Sequence, residues 1–334
     1  MKKIFSRLPR ILEPQYLLIW ALFLLVVMFS VASPAFRTRD NLVEILRSAC
    51  INAVLVLGLT WIVAMGEIDV TFPDVAAFGS MVTALAVMNG SPWWLAILIA
   101  LFLSSIWGLV NAALINIFKV RALIATIGIT TIAKATAYII GKGSPIYLPK
   151  IDPFVSFLVY GKIAQVPVLF LIVLAIYLVA SFLQNQTKLG QYLYALGENR
   201  QAALEATIPE KMIIYSFYIL SALLASAGGI LLVATFTAGQ PNFQGSYFVD
   251  GLTAVFLGAL VIKAGKPNVI GTLIGAIFIM VLGNGLTLLG VPFFVGIIIK
   301  GALMLVGVAA IAISRHRLIQ RRQLEKLAES AGTD

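Results

Sequence analysis

Five stretches of this chain, 17 to 26 residues long, carry no charged side chain: Tyr16 to Ala32, Trp93 to Phe118, Ile163 to Leu183, Met212 to Thr237 and Asn268 to Gly290. A membrane-crossing helix needs about 20 apolar residues, whereas a barrel strand needs about 10 and alternates polar with apolar positions. Uninterrupted runs of this length therefore predict helices that cross a bilayer. Composition agrees, because only 11% of residues are charged and mean hydropathy is +1.00, where a soluble domain carries about a quarter charged residues. The expected fold class is an all-α polytopic membrane protein.

Extending the reading along the chain gives ten spans, at 16–32, 46–65, 72–90, 93–118, 121–141, 163–184, 212–237, 247–263, 268–289 and 292–313. Before the first lies a short basic tail, 1–15; after the last lies a second, 314–334; the membrane body is 16–313. Met1 to Arg10 has the basic start of a signal peptide, but the apolar segment behind it exceeds the usual length and more spans follow, so it reads as a retained first helix. With the amino terminus inside, 16 of the 24 basic residues fall in inside segments, and the positive-inside rule places both termini in the cytoplasm. These short basic loops account for the net charge of +10 without nucleic acid. The third and eighth segments are short or interrupted, by Pro73-Asp74 and by Asp250. They occupy corresponding positions if 46–141 and 212–313 are two inverted repeats, a pattern that marks transport pathways.

Several chemistries are excluded. The single Cys50 forms no intramolecular disulfide, the single His316 sits in the basic tail, and no Gly-x-x-x-x-Gly-Lys-Ser/Thr loop is present. Metal, triad and nucleotide chemistry have no residues to stand on, so no cofactor is expected in this chain.

The stretch MGEIDVTFPD gathers Glu67, Asp69 and Asp74 in a chain with 14 acids. One reading is an intramembrane carboxylate cluster, which costs upwards of about 2.5 kcal/mol per charge at mid-bilayer and so implies a purpose. The other is a short cytoplasmic turn, with Gly66 breaking the second helix and Asp69 capping the next. Asp250 reads either as an interfacial N-cap-like acid or as a polar contact at the outer mouth of a path. Lys134 and Lys300 either pair with acids or snorkel, and Lys300, near mid-span, points to a cavity or a carboxylate. Asn52, Asn111, Asn116, Thr126, Thr130, Thr131 and Asn284 are neutral polar groups on spans, suited to bonds between helices or, together, to a path for a polyhydroxylated solute. The glycine pairs Gly271/Gly275 and Gly301/Gly307 read as close helix packing. The segment 185–211 is too polar to span, yet carries Tyr192, Leu193, Ala202, Ala203, Leu204 and Ile208. Two helix-like pieces are expected there, separated at Gly197, Glu198 and Asn199, with Pro209 ending the second, as a docking element at the cytoplasmic face.

Three blocks of the sequence resemble the permease subunits of ABC importers for ribose, other monosaccharides and autoinducer-2: GEIDVTF (Gly66 to Phe72), GLVNAALINIFKVRALIATIG (Gly108 to Gly128), and the pair TKLGQYLYALGENRQAALEATIP and GTLIGAIFIMVLGNGLTLLGV. The likeness covers about 40–313. Glu67 stands where the family has a second glycine, Pro73-Asp74 where it has Gly-Ser, Gln191 for an arginine and Thr207 for a glycine; KAGKPNV replaces a glycine-rich turn. The resemblance implies a dimer with a second copy or a paralogue, two cytoplasmic ABC ATPases that hold the ATP and Mg, and a substrate-binding protein outside, in a bacterial inner membrane. Gly197, Glu198, Asn199, Ala202, Ala203 and Glu205 would then couple to the ATPase; Asn111, Thr126, Asp250 and Asn284 would line the path; Gly66 and Asp69 would form the helix break. A competing class is an ion-coupled carrier using Asp69, Asp250 and Lys300, and a third is a structural membrane subunit. The topology is tested at its weakest point, the basic Arg37 and Arg39: a reporter fused at Thr38 is expected outside, and a cytoplasmic signal removes the ten-span count.

Overall fold

The computed structural model describes residues 16–262 and 265–331, and for 244, 246 and 313–331 the backbone alone. The amino-terminal tail, Lys263, the side chain of His316 and residues 332–334 lie outside the described residues. Thirteen helices are described: α1 (Leu17–Ala32), α2 (Arg39–Ala64), α3 (Phe72–Met88), α4 (Trp93–Asn116), α5 (Ala122–Ile140), α6 (Pro153–Tyr160), α7 (Val168–Gln186), α8 (Lys188–Glu198), α9 (Arg200–Glu205), α10 (Glu210–Phe236), α11 (Gln244–Gly258), α12 (Val269–Leu288) and α13 (Phe293–Ala331). Four two-residue strands, β1 to β4, complete it: β1 (Ile146–Tyr147) pairs with β4 (Ala238–Gly239), and β2 (Lys162–Ile163) with β3 (Val166–Pro167).

The all-α polytopic class holds. Seven helices, α2, α4, α5, α7, α10, α12 and the first 20 residues of α13, are long and apolar enough to cross a membrane, and α1, α3 and Tyr247–Gly258 of α11 are shorter apolar helices. Boundaries differ from expectation where local chemistry intervenes. α2 begins at Arg39, seven residues early, because extended Thr38 starts it and Asp40 occupies its first turn, where an acid is favoured. Residues 162–167 form a hairpin turning through left-handed Ala164 and Gln165, so α7 starts only after Pro167. The unexpected helix α6 starts because Asp152 accepts hydrogen bonds from Phe154 N and Val155 N. Finally, α13 does not stop at 313 but continues to Ala331.

The packing is organised around α2 and α10, which run antiparallel. Gly58 faces Ser221, Leu55 faces Gly228, and the Trp61 and Phe217 rings lie 5.3 Å apart. Here α10 packs on α3 and α4 as well as α2, while α2 packs on α11 and α12 as well as α10. Each first helix of a four-helix set, α2–α5 or α10–α13, is thus seated in the other set. α1 covers α12, through a second apolar cluster holding Phe29, Phe36 and Phe278. Seven non-helical residues, 65–71, precede the short α3, and another seven, 237–243, precede the short α11.

Backbones approach closely at glycine. A Cβ on Gly229 would lie 2.0 Å from Ala76 O, one on Gly275 2.1 Å from Ala254 O, and one on Gly271 2.0 Å from Gly258 O. The expected Gly271/Gly275 packing is present. A Cβ on Gly307 would lie 3.3 Å from Leu257, whereas one on Gly301 would meet nothing within 4 Å among the described residues, so no close approach requires glycine there. Gly229→Ala is therefore expected to lower the melting temperature of the detergent-solubilised protein, with an overpacking cost of about 1–3 kcal/mol. Gly128→Ala, where a Cβ meets nothing, is expected to leave it unchanged.

Candidate functional site

The stretch 65–71 leaves α2 at Gly66, whose φ of +83° is open to glycine and strained for other residues. It then runs into the bundle instead of turning back at its edge. Phe72, the first residue of α3, stacks on Phe248 and, with Val56, lies against Gly251 of α11. Val56 is eight residues from the end of α2, a depth of about 12 Å. Irregular backbone so deep in an apolar bundle must find partners for its polar groups, and α5 supplies them. Thr126 Oγ1 lies 3.4 Å from Ile68 O, and Thr130 Oγ1 lies 3.2 Å from Val70 O. These two threonines, four apart, share one face of α5.

The acids of this stretch divide. Asp69 is buried and accepts from Thr71 N at 2.8 Å, Thr71 Oγ1 at 2.5 Å and Ser221 Oγ at 3.3 Å. Asp74 is fully buried and accepts from Thr130 Oγ1 at 2.7 Å, while its Oδ1 has no partner. The single Thr130 proton is thus contested by Val70 O and Asp74. Neither acid sits in a solvated turn, and the turn reading fails for both, because the chain dives inward after Gly66. Asp69 still organises the start of the next helix, but through an Asx-type turn around Thr71, the N-cap position of α3, which makes no side-chain cap of its own. Glu67 alone lies at the rim, where it pairs with Arg200 at 2.8 Å.

At the same end lies the 185–211 segment, folded as α8 and α9. The separation falls at Asn199, whose side chain accepts from Ala202 N and starts α9. Gly197 breaks nothing: it lies within α8, and a Cβ there would meet Ala64 O at 2.0 Å, so glycine lets α8 cross the end of α2. Pro209 does not end α9, which stops at Glu205; it stands instead at the N-cap position of α10. Ala202 and Glu205 are exposed, as is Leu204, whereas Ala203 is buried against the main core. The segment is fastened to the other helix set as well. Tyr194 OH donates to Pro267 O at 2.8 Å, Gln184 Oε1 accepts from Val269 N at 2.8 Å, and Lys266 pairs with Glu198. Burial pushes the Tyr194 phenol up to about 12, so it remains a donor at any physiological pH.

A second polar site lies between α2, α11, α12 and α13. Asp250, seven residues into α11, is buried, and Lys300 Nζ stands 2.9 Å from each of its carboxylate oxygens. The interfacial-cap reading of Asp250 is overturned, and Lys300 faces both a carboxylate and a cavity. That cavity, of about 310 Å³, is lined by Glu44, Ser48, Asp250, Asn284, Thr287 and Lys300 among apolar neighbours. Asn284 exchanges two hydrogen bonds with Asn41, at 2.8 and 3.0 Å. The four path residues of the sequence reading therefore fall into two places. Asp250 and Asn284 share this cavity; Asn111, 3.5 Å from Thr71 Oγ1, and Thr126 surround the broken stretch. Sequence reasoning missed Arg200, Ser221 and Gln184, whose partners Glu67, Asp69 and Val269 lie 133, 152 and 85 residues away, and also Glu210, which pairs with Arg200, and Asn268, which caps the start of α12. Among the other polar residues, Asn52 and Asn116 have side-chain groups buried without partners, and Thr131 bonds only within its own helix, to Ile127 O.

Short helices entered through irregular stretches, with polar groups gathered at the breaks of an apolar bundle, define a polytopic transport protein. Residues 41–308 match the family model of the permease component of branched-chain amino acid transport systems. The chain belongs to this family, as a multi-pass permease of the ABC-importer class. It is 33% identical over 291 residues to the ribose import permease protein RbsC of Escherichia coli (strain K12), covering 86% of this chain and 90% of that one. Against RbsC of Bacillus subtilis (strain 168) the identity is 30%, covering 86% and 89%. Against the autoinducer 2 import system permease protein LsrD of Escherichia coli O9:H4 (strain HS) it is 30%, covering 80% and 82%. No solved structure matches.

The Asp250–Lys300 pair gives a direct test. Asp250→Asn alone leaves a buried ammonium without its counter-charge and is expected to destabilise by about 3–5 kcal/mol. Asp250→Asn with Lys300→Met is expected to recover most of that loss in thermal unfolding; additive losses would show that the two charges do not neutralise each other.

Proposed function

We propose that the chain is the membrane channel of a bacterial ABC importer that carries a sugar or sugar-like polyol into the cytoplasm. The observation that carries this is family membership together with relatives named for ribose and autoinducer 2 import. Neutral donors and acceptors, Asn111 and Thr126 around 65–71 and Ser48, Asn284 and Thr287 in the 310 Å³ cavity, stand beside the charged groups of both places and suit a polyhydroxylated solute, which needs many such partners. Both termini and α8–α9 are placed in the cytoplasm of an inner-membrane protein with ten spans, α1, α3 and α11 being the short ones. The sets α2–α5 and α10–α13 are read as inverted repeats. Antiparallel α2 and α10, each seated in the other set, and the matched seven-residue entries to α3 and α11 support that reading.

The working unit is two permease chains, identical or paralogous, with two cytoplasmic ATPases that bind ATP and Mg, and an extracytoplasmic substrate-binding protein. The ATPases act on the exposed face of α8–α9, with Ala202, Leu204 and Glu205 at its centre and Gly197, Glu198 and Asn199 setting its angle. Ala203 supports that face from within. Nucleotide-driven closure moves the segment and alternately opens the path to either side. A cysteine at Ala202 is expected to crosslink to the ATPase encoded with this permease, and purified complex in proteoliposomes to show ATPase activity stimulated by loaded binding protein. Uptake that survives loss of the ATPase but collapses with the proton or sodium gradient would transfer the reading to an ion-coupled carrier.

A further inference from the structure

The guanidinium of Arg200 stands between two carboxylates from different parts of the bundle. Its Nη1 donates to Glu67 Oε1 at 2.8 Å, and its Nε donates to Glu210 Oε1. Arg200 is the first residue of α9, fixed there by the Asn199 cap. Glu210 is the first residue of α10, the helix on which α2, α3 and α4 all pack. Glu67 follows the left-handed Gly66, and one residue, Ile68, separates it from Asp69, which is anchored inside by three donors. The carboxylates are partly shielded, with side-chain exposures of 20% for Glu67 and 10% for Glu210, while Arg200 itself is 46% exposed, so the tie is charge-assisted but partly screened by solvent.

A cavity of about 580 Å³ opens beside this arrangement, walled by Gly66, Glu67 and Ile68 on one side, Lys119 to Leu123 on another, and Arg200, Leu204 and Glu210 on the third. The α4–α5 turn and α9 thus face each other across the mouth of the broken stretch. Lys119 and Arg121 add positive charge to the same cavity, yet Arg200 is the group placed to hold both acids.

We propose that Arg200 is the positioning residue through which displacement of α9 acts on the broken stretch 65–71. While both bonds hold, Glu67 is tied to α9 and α10 together, and the stretch is held between that tie and the Asp69 anchor. Displacing α9 pulls or frees Glu67, and with only Ile68 between them the movement reaches Asp69 and then Thr71. The inference rests on the importer reading for the agent that moves α9, not for the tie itself.

Two experiments test it. In proteoliposomes holding the complete complex, solute imported per ATP hydrolysed is measured for Arg200→Gln, Glu67→Gln and the double variant. Each single change is expected to lower the ratio about fivefold or more, and the double change no further than Arg200→Gln alone, because both remove the Arg200–Glu67 bond; Arg200→Lys is expected to recover part. Unchanged ratios, or effects that multiply in the double variant, overturn the proposal. The second needs no ATPase. In the permease alone, with Cys50→Ala and a probe cysteine introduced by Val70→Cys, maleimide labelling is expected to quicken several-fold on adding Glu67→Gln or Arg200→Gln, at an unchanged melting temperature. An unchanged labelling rate overturns the tie, whereas absence of ATPase stimulation in the unaltered complex would count against the importer reading alone.

Discussion

A backbone carbonyl in an apolar medium has nowhere to go for a proton, and this constraint governs the centre of the molecule. Between Gly66 and Phe72 the chain abandons helical geometry well inside the bundle, and each group it exposes must be met by a side chain from elsewhere. Thr126 and Thr130 meet Ile68 O and Val70 O; Asp69 folds back on Thr71 and is met by Ser221. Leaving one such group unmet costs several kcal/mol in hydrocarbon. The positions of α4, α5 and α10 around the break are therefore set as much by these few hydrogen bonds as by apolar packing, which is non-directional. The same logic recurs at the opposite end, where Ser80 Oγ lies 3.0 Å from Gln240 O and 3.1 Å from Gln240 N.

Much of this was legible in the sequence, for a physical reason. Spans announce themselves because about twenty consecutive apolar residues are needed to cross hydrocarbon; each of the ten apolar segments contains a helix, and seven of these are long and apolar enough to cross. Composition also identified the polar segment 185–211 and its two helical pieces, although the division expected from Gly197 through Glu198 to Asn199 falls at Asn199 alone. The acids were harder. Local patterning makes Asp69 look like a cap near water and Asp250 like an interfacial residue, since each lies close to a helix start. What reverses both is long-range: Asp250 is buried by the presence of Lys300, fifty residues later, and Asp69 by Ser221, 152 residues later. Gly197 is a similar case, since a glycine that punctuates a sequence and a glycine that admits a neighbouring backbone look alike until Ala64 O is found where its Cβ would be.

The two polar centres manage charge differently. At Asp250 and Lys300 opposite charges cancel within one contact, and the neutral Asn41–Asn284 pair closes the same cavity by exchanging donors and acceptors. Around Asp69, among the described residues, hydroxyl and amide dipoles meet the carboxylate and no cation makes a direct bond. Dipoles can reorient through small side-chain rotations, whereas an ion pair must be broken outright, so the broken stretch is the softer of the two centres and the α11–α13 contact the stiffer. A transport cycle that changes the first while preserving the second distributes its motion unevenly across the molecule.

The exchange of first helices also has a consequence in time. α2 cannot complete its packing until α10 exists, because Gly58 and Leu55 are shaped to Ser221 and Gly228. Some 146 residues separate the end of α2 from the start of α10, roughly 7 to 30 s of synthesis at ordinary rates. Through that interval α2 waits in the bilayer with its grooves filled by lipid or by the insertion machinery, and Asn52, whose buried side chain meets no hydrogen-bond partner among the described residues, faces the same medium. A nascent chain of this design is therefore most exposed to misassembly and proteolysis after its first half is complete, and synthesis of α10 is the event that ends the risk.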